Sequence, residues 1–171
     1  MHTRTLIRGF ILGIALLSPP AFSQPPGDAK VAVRVVRYDG LTDAIKQQRG
    51  KVVVVDFWAD YCVPCKREFP KLVALHNQLA KDGLVAVSVS LDDLREDGAK
   101  DKVLQFLEKQ KATFTNLILD EKPEFWQSKL KIDGPPLVMV FDREGSLEQK
   151  FVDKDVDYAV IGKLVTELLR K

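Results

Sequence analysis

Cysteine is scarce in this chain: of 171 residues only Cys62 and Cys65 carry a thiol. Two thiols cannot build the multi-bridge framework of small secreted domains, so stability has to come from an apolar core, and the length suffices for one domain but not for two of ordinary size. Histidine is as rare, with His2 and His76. Together with the cysteines it leaves too few ligands for a zinc site, which takes about four. No apolar run reaches the roughly 20 residues of a membrane-spanning helix. The longest, Phe10 to Leu17, follows Arg4 and Arg8, stops at Ser18-Pro19-Pro20 and precedes the small-residue site Ala21-Phe22-Ser23. Residues 1–23 therefore have the pattern of a cleaved signal peptide, which implies a periplasmic or secreted protein starting at Gln24, with an uncleaved membrane tether as the alternative.

An excess of charge is also lacking. The segment 1–23 takes Arg4 and Arg8 and no acid with it, so 26 basic residues become 24 against 24 acidic ones. A neutral, mixed surface has no electrostatic footprint for nucleic acid or anionic lipid, and points to protein partners.

Residues 24–30, with Pro25, Pro26 and Gly27, read as a flexible lead, and the domain as 31–171. Strands are expected at Val31–Val36, at Val52–Val55, whose β-branched run fits a strand covered on both faces, and at Leu84–Leu91. A short helix falls at 41–48 and a long one at Cys65–Lys81, stopped by Gly83. The strand-helix-strand order predicts a parallel pair with a right-handed crossover. The charged stretch Asp92–Lys102 reads as solvated surface leading into a helix through Val103, Leu104, Phe106 and Leu107. Beyond it come a strand at Asn116–Leu119, a helix at Pro123–Lys131, a hairpin of Leu137–Phe141 with Leu147–Val152, and a last helix at Asp157–Leu169.

The cysteines stand three apart, after a buried strand and at the start of a helix. There the first thiol meets unpaired backbone N–H groups and the positive end of the helix dipole, which favour thiolate. Such thiols have pKa values of roughly 3.5 to 7.5, against about 8.5 for a free one. Cys62 is thus the candidate nucleophile, Cys65 the resolving thiol, and Pro64 is tolerated in the first turn. A purely structural bridge across so small a loop would stabilise the fold by far less than the roughly 3 kcal/mol of a 15-residue loop. Redox exchange is the favoured reading. Two others stay open: copper binding through both thiolates and His76, as in a metallochaperone, and an interaction domain with an inert disulfide.

The segment Val53-Val54-Val55-Asp56-Phe57-Trp58-Ala59-Asp60-Tyr61-Cys62-Val63-Pro64-Cys65-Lys66 resembles the active-site segment of thioredoxins. Its continuation Lys66-Arg67-Glu68-Phe69-Pro70 resembles the exported TlpA/ResA-like branch of thiol-disulfide oxidoreductases, and the likeness runs from about Val31 to Lys171. The resemblance implies an α/β thioredoxin-like fold: a central mixed sheet of four or five strands flanked by helices, with Asp92–Asp120 as a helix-plus-strand insertion and Pro70 kinking the long helix. It also implies a cis-proline loop beside the disulfide. Counting back from the turn at Arg143-Glu144-Gly145 puts that proline at Pro136, preceded by Pro135, which has no N–H to offer a substrate.

Asp56 interrupts an apolar run; buried under the pair, it would resist ionisation and accept the Cys65 proton. Glu68, one turn after Cys65, stands where the branch carries an active-site glutamate. Catalysis is accordingly expected from Cys62, Cys65, Asp56 and Glu68, and substrate contact from Trp58, Val63, Pro64, Pro135 and Pro136. Trp58 and Tyr61 are read as packing around the site, Lys66 and Asp60 as solvated. The expected role is a reductant, with cytochrome c maturation as a target. No cofactor and no metal is expected. The implied partners are exported thiol or disulfide proteins and a membrane-bound or soluble electron donor, with the chain acting as a monomer.

Overall fold

The computed structural model describes residues 30–171. The expected signal peptide, residues 1–23, and all of the lead but Lys30 lie outside the described residues. The strands are β1 (Arg34–Val36), β2 (Val52–Trp58), β3 (Leu84–Ser90), β4 (Thr115–Leu119), β5 (Leu137–Phe141) and β6 (Leu147–Val152); the helices are α1 (Tyr38–Lys46), α2 (Val63–Leu79), α3 (Ala99–Gln110), α4 (Pro123–Leu130) and α5 (Tyr158–Leu169). They build one sheet in the order β1-β4-β3-β2-β5-β6. β2 runs parallel to β3, β3 to β4 and β4 to β1, whereas β5 is antiparallel to both β2 and β6.

The sheet has six strands, where four or five were expected. The insertion α3-β4 slots its strand between β1 and β3 without displacing either, because β4 offers both edges for parallel pairing. The central position of β2 explains its sequence. All seven of its residues are buried, as a strand covered on both faces requires. Val52, Val54 and Trp58 face α2, α3 and α5, where Phe69, Leu72, Val103, Leu107, Ile161 and Val165 complete one core. Val53, Val55 and Phe57 face the other side, against Leu41 of α1 and Trp126 of α4.

Several boundaries move by a few residues. β1 is shorter than Val31–Val36, and α1 begins at Tyr38 instead of Leu41. α2 begins at Val63 instead of Cys65, because Cys62 is itself the residue that caps it. It ends at Leu79, and a turn of tighter helix over Ala80–Asp82 leads to Gly83, whose φ of 107° closes the helix in a conformation that favours glycine. Pro70 lies inside α2, as expected.

Candidate active site

The site forms where β2 ends and α2 begins. Cys62 and Cys65 are joined in a disulfide. Cys62 adopts an extended backbone at the N-cap of α2, and its Sγ accepts the Cys65 N–H at 3.3 Å. A backbone donor therefore points at the sulfur where a thiolate would develop on reduction, at the positive end of a helix of 17 residues. Cys62 is 6% exposed and Cys65 3%, so the first residue of the pair is slightly the more exposed. Around it the chain presents an apolar rim: Val63 is 74% exposed, Tyr61 66%, and Pro64 is exposed as well. Tyr61 is thus exposed surface and not packing, because it lies in the loop between the end of β2 and the start of α2.

Trp58 corrects an expectation. It is completely buried, with its ring 5.4 Å from that of Phe69 and 4.6 Å from that of Phe106. A side chain without exposed surface cannot contact substrate; it supports the loop from beneath.

Asp56 lies on the α2-facing side of β2, the side of the core that includes both cysteines. It is 4% exposed, and its Oδ2 accepts a 2.6 Å hydrogen bond from the Tyr158 hydroxyl at the start of α5. Burial raises its pKa from 3.8 to about 7, against the opposing pull of the Tyr158 hydrogen bond. Burial also drives the Tyr158 hydroxyl well above its ordinary range, with the Asp56 charge adding to it, so the phenol stays protonated and donates. Glu68 makes no hydrogen bond to this pair. Its carboxylate holds Lys71 Nζ at 2.6 Å and Arg67 Nε at 3.5 Å, and the Lys71 hydrogen bond keeps it below the usual carboxylate range. A carboxylate so stabilised is a weak base, which makes Asp56 the better fitted proton acceptor.

Glu68 lines a groove of about 510 Å³ together with Pro64, Pro136 and Asp157. Pro136 follows Pro135 through a cis peptide bond. Since Pro136 and Pro64 both line the groove, the proline loop and the redox motif border it together. The Pro136 carbonyl accepts the Asp153 N–H at 3.0 Å, which ties the loop to the end of β6.

Two residues of the site escaped the sequence reading. Asp92 belongs to the charged stretch expected in solvent, yet both its oxygens accept the Asp60 N–H at 3.0 Å and Oδ2 accepts the Ser90 hydroxyl at 2.7 Å. It pins the loop before Cys62 to the end of β3, and burial raises its pKa. Lys66 and Asp60, also expected in solvent, pair at 2.7 Å, with the Lys66 ammonium 5.4 Å from the Phe106 ring. The signal for Asp92 was its place just past a buried parallel strand, where functional groups gather in such sheets. Tyr158, 102 residues from Asp56, left no signal.

The copper reading finds no support in the geometry. His76 is eleven residues along α2 from Cys65, about 16 Å at 1.5 Å per residue, and its ring packs against Phe114 at 5.1 Å. Thiolates and imidazole cannot meet on one ion at that distance.

Comparison with known proteins agrees with this geometry. The AhpC/TSA family matches residues 26–150. The thiol-disulfide oxidoreductase ResA of Oceanobacillus iheyensis is 36% identical over 111 residues, 65% of this chain and 54% of that protein, so the match spans about half of the relative's length. The sporulation thiol-disulfide oxidoreductase A of Bacillus subtilis is 24% identical over 87% of this chain and 90% of its own. Among solved structures, the thioredoxin domain of a thiol-disulfide oxidoreductase from Bacteroides vulgatus aligns with a TM-score of 0.57 at 26% identity, covering 70% of this chain and 83% of that one. A DsbE-type protein from Chlorobium tepidum shares the fold with a TM-score of 0.61 at 24% identity, over 73% and 84% of the two chains. With its Cys62–Cys65 disulfide capping the helix after the central strand, the chain belongs to the AhpC/TSA family and, within it, to the ResA/TlpA-like thiol-disulfide oxidoreductases.

Proposed function

We propose that this protein is an exported reductant of protein or small-molecule disulfides, delivering electrons to exported thiol proteins such as those of cytochrome c maturation. Cys62 is the attacking thiolate, Cys65 the resolving thiol and Asp56 its proton acceptor. The observation that carries this reading is the Cys62 sulfur at the N-cap of α2, accepting the Cys65 backbone N–H. The Cys62 thiolate attacks a substrate disulfide, forming a mixed disulfide and releasing the first substrate sulfur. Cys65 then gives its proton to Asp56 and attacks Cys62 Sγ; the bond to the substrate breaks, and the second sulfur leaves as a thiolate. Val63, Pro64, Pro135 and Pro136 border the path of the substrate, and Glu68, paired with Lys71 and Arg67, lines the groove beside them. Electrons return to the pair from a membrane-bound or soluble donor.

Cysteine variants test the roles. Cys62→Ser is expected to abolish exchange, and Cys65→Ser to accumulate mixed disulfides with partners, seen as adducts on non-reducing gels. Adducts on the Cys62→Ser background alone would reverse the assignment. A reduction potential below about −300 mV would mark the bridge as an inert staple instead.

A further inference from the structure

The Asp56–Tyr158 pair is more than a satisfied buried contact, given where each partner comes from. Asp56 is the only charged residue of β2. The buried serines and asparagine of the sheet are engaged elsewhere: Ser88 with Asn116, Ser90 with Asp92, and Asn116 with three backbone carbonyls. Tyr158 opens α5, held there by the Asp157 cap, whose Oδ1 accepts the Ala159 N–H at 2.8 Å. The start of a helix far along the chain thus aims one hydroxyl at one oxygen of the carboxylate, on the face of β2 that packs in the same core as the two cysteines. Among the described residues Oδ1 of Asp56 accepts no hydrogen bond, and it is the oxygen left to receive a proton.

We propose that Tyr158 is a positioning residue for disulfide exchange, its hydroxyl holding Asp56 Oδ2 so that Oδ1 is presented to the Cys65 thiol. The inference rests on the reading of Asp56 as proton acceptor and deepens it. In the resolving step the Cys65 S–H bond breaks and its proton goes to Oδ1. The Cys65–Cys62 bond forms with the sulfur electron pair as the Cys62–substrate bond breaks, and the departing substrate thiolate is protonated by solvent. The dithiol loses the two electrons that the substrate disulfide gains.

The surroundings leave few other groups to govern this proton. From α2 the two cysteines and Glu68 face the pair, the last already neutralised by Lys71 and Arg67. At the register positions beside Asp56, β3 offers Ser88 and β5 offers Val138, neither of which titrates there. Asp153, Lys154 and Asp157 line the outer groove with Glu68.

A donor hydroxyl favours the ionised carboxylate, so its loss leaves burial unopposed and the proton more tightly held. In Tyr158→Phe the pH midpoint of exchange is therefore expected to move upward by about one unit, with exchange about tenfold slower below it. The measurement is a single-turnover reaction of the reduced full-length protein with a fluorescent peptide disulfide, followed across pH. A tyrosine at 158 fluorinated beside its hydroxyl keeps the packing and donates more strongly, so its midpoint is expected to move downward. Asp56→Asn is run alone and combined with Tyr158→Phe; in the combined variant the shift is expected to vanish. If Asp56→Asn alone leaves the profile unchanged, the proton-acceptor reading falls and this inference with it. If Asp56→Asn removes the titration while both Tyr158 variants keep the wild-type midpoint, Asp56 stands and the role given to Tyr158 is overturned, whatever either variant does to stability.

Discussion

At the scale of single residues, Asp56 couples the chemistry to the stability of the fold. Its pKa is about 7 in the folded protein and near 3.8 when free. The folded state therefore holds this proton more tightly than the unfolded one. The stability it contributes is complete below about pH 3.8, declines as the pH rises towards 7, and is gone above it. Three units correspond to about 4 kcal/mol as an upper limit. Asp56→Asn keeps an acceptor for Tyr158 and has no charge to bury, so oxidised Asp56→Asn should be more stable than wild type. The gain should grow between these two pH values and level off above the higher one. Urea unfolding at a series of pH values checks it, and a pH-independent difference would mean that Asp56 does not titrate in this range. The residue was legible as an acid breaking an apolar strand. Its proton affinity was not, because that depends on the depth of burial and on a hydroxyl from the far end of the chain.

Among the elements, β5 and the loop before it are where the proposed function has an extended substrate dock. Pro135 stands beside the groove that Pro64 and Pro136 line, and it has no N–H to donate. In a strand-like docking mode one hydrogen bond is missing, a net loss of roughly 0.5 to 1.5 kcal/mol. Pro135→Val should therefore bind a trapped peptide about two- to tenfold more tightly, measured by titrating a fluorescent peptide onto the Cys65→Ser variant. Equal affinity would show that peptides do not use this backbone position. The helix of the site, α2, starts two residues before the expected Cys65. A helix begins where its first N–H groups find partners, and here the partner is a cysteine sulfur that no capping preference anticipates.

For the whole molecule, the proposal of export makes a concrete claim about the N-terminus. Ala21 and Ser23 supply small residues before the cut, so intact mass of the exported protein should correspond to a chain starting at Gln24. A full-length species held in membranes would show a tether instead. Local pattern determined the order of strands and helices, the identity of the redox pair and its place at a helix start. Hydrophobic period, glycine and proline stops and the spacing of two cysteines are all properties of neighbouring residues. The six-strand count, the burial of Trp58, the anchoring of the loop by Asp92 and the Tyr158 hydroxyl on Asp56 were decided by the tertiary structure alone. Each depends on packing between segments tens of residues apart, and a hydrogen bond across 102 residues exists only once both ends are folded into the same core.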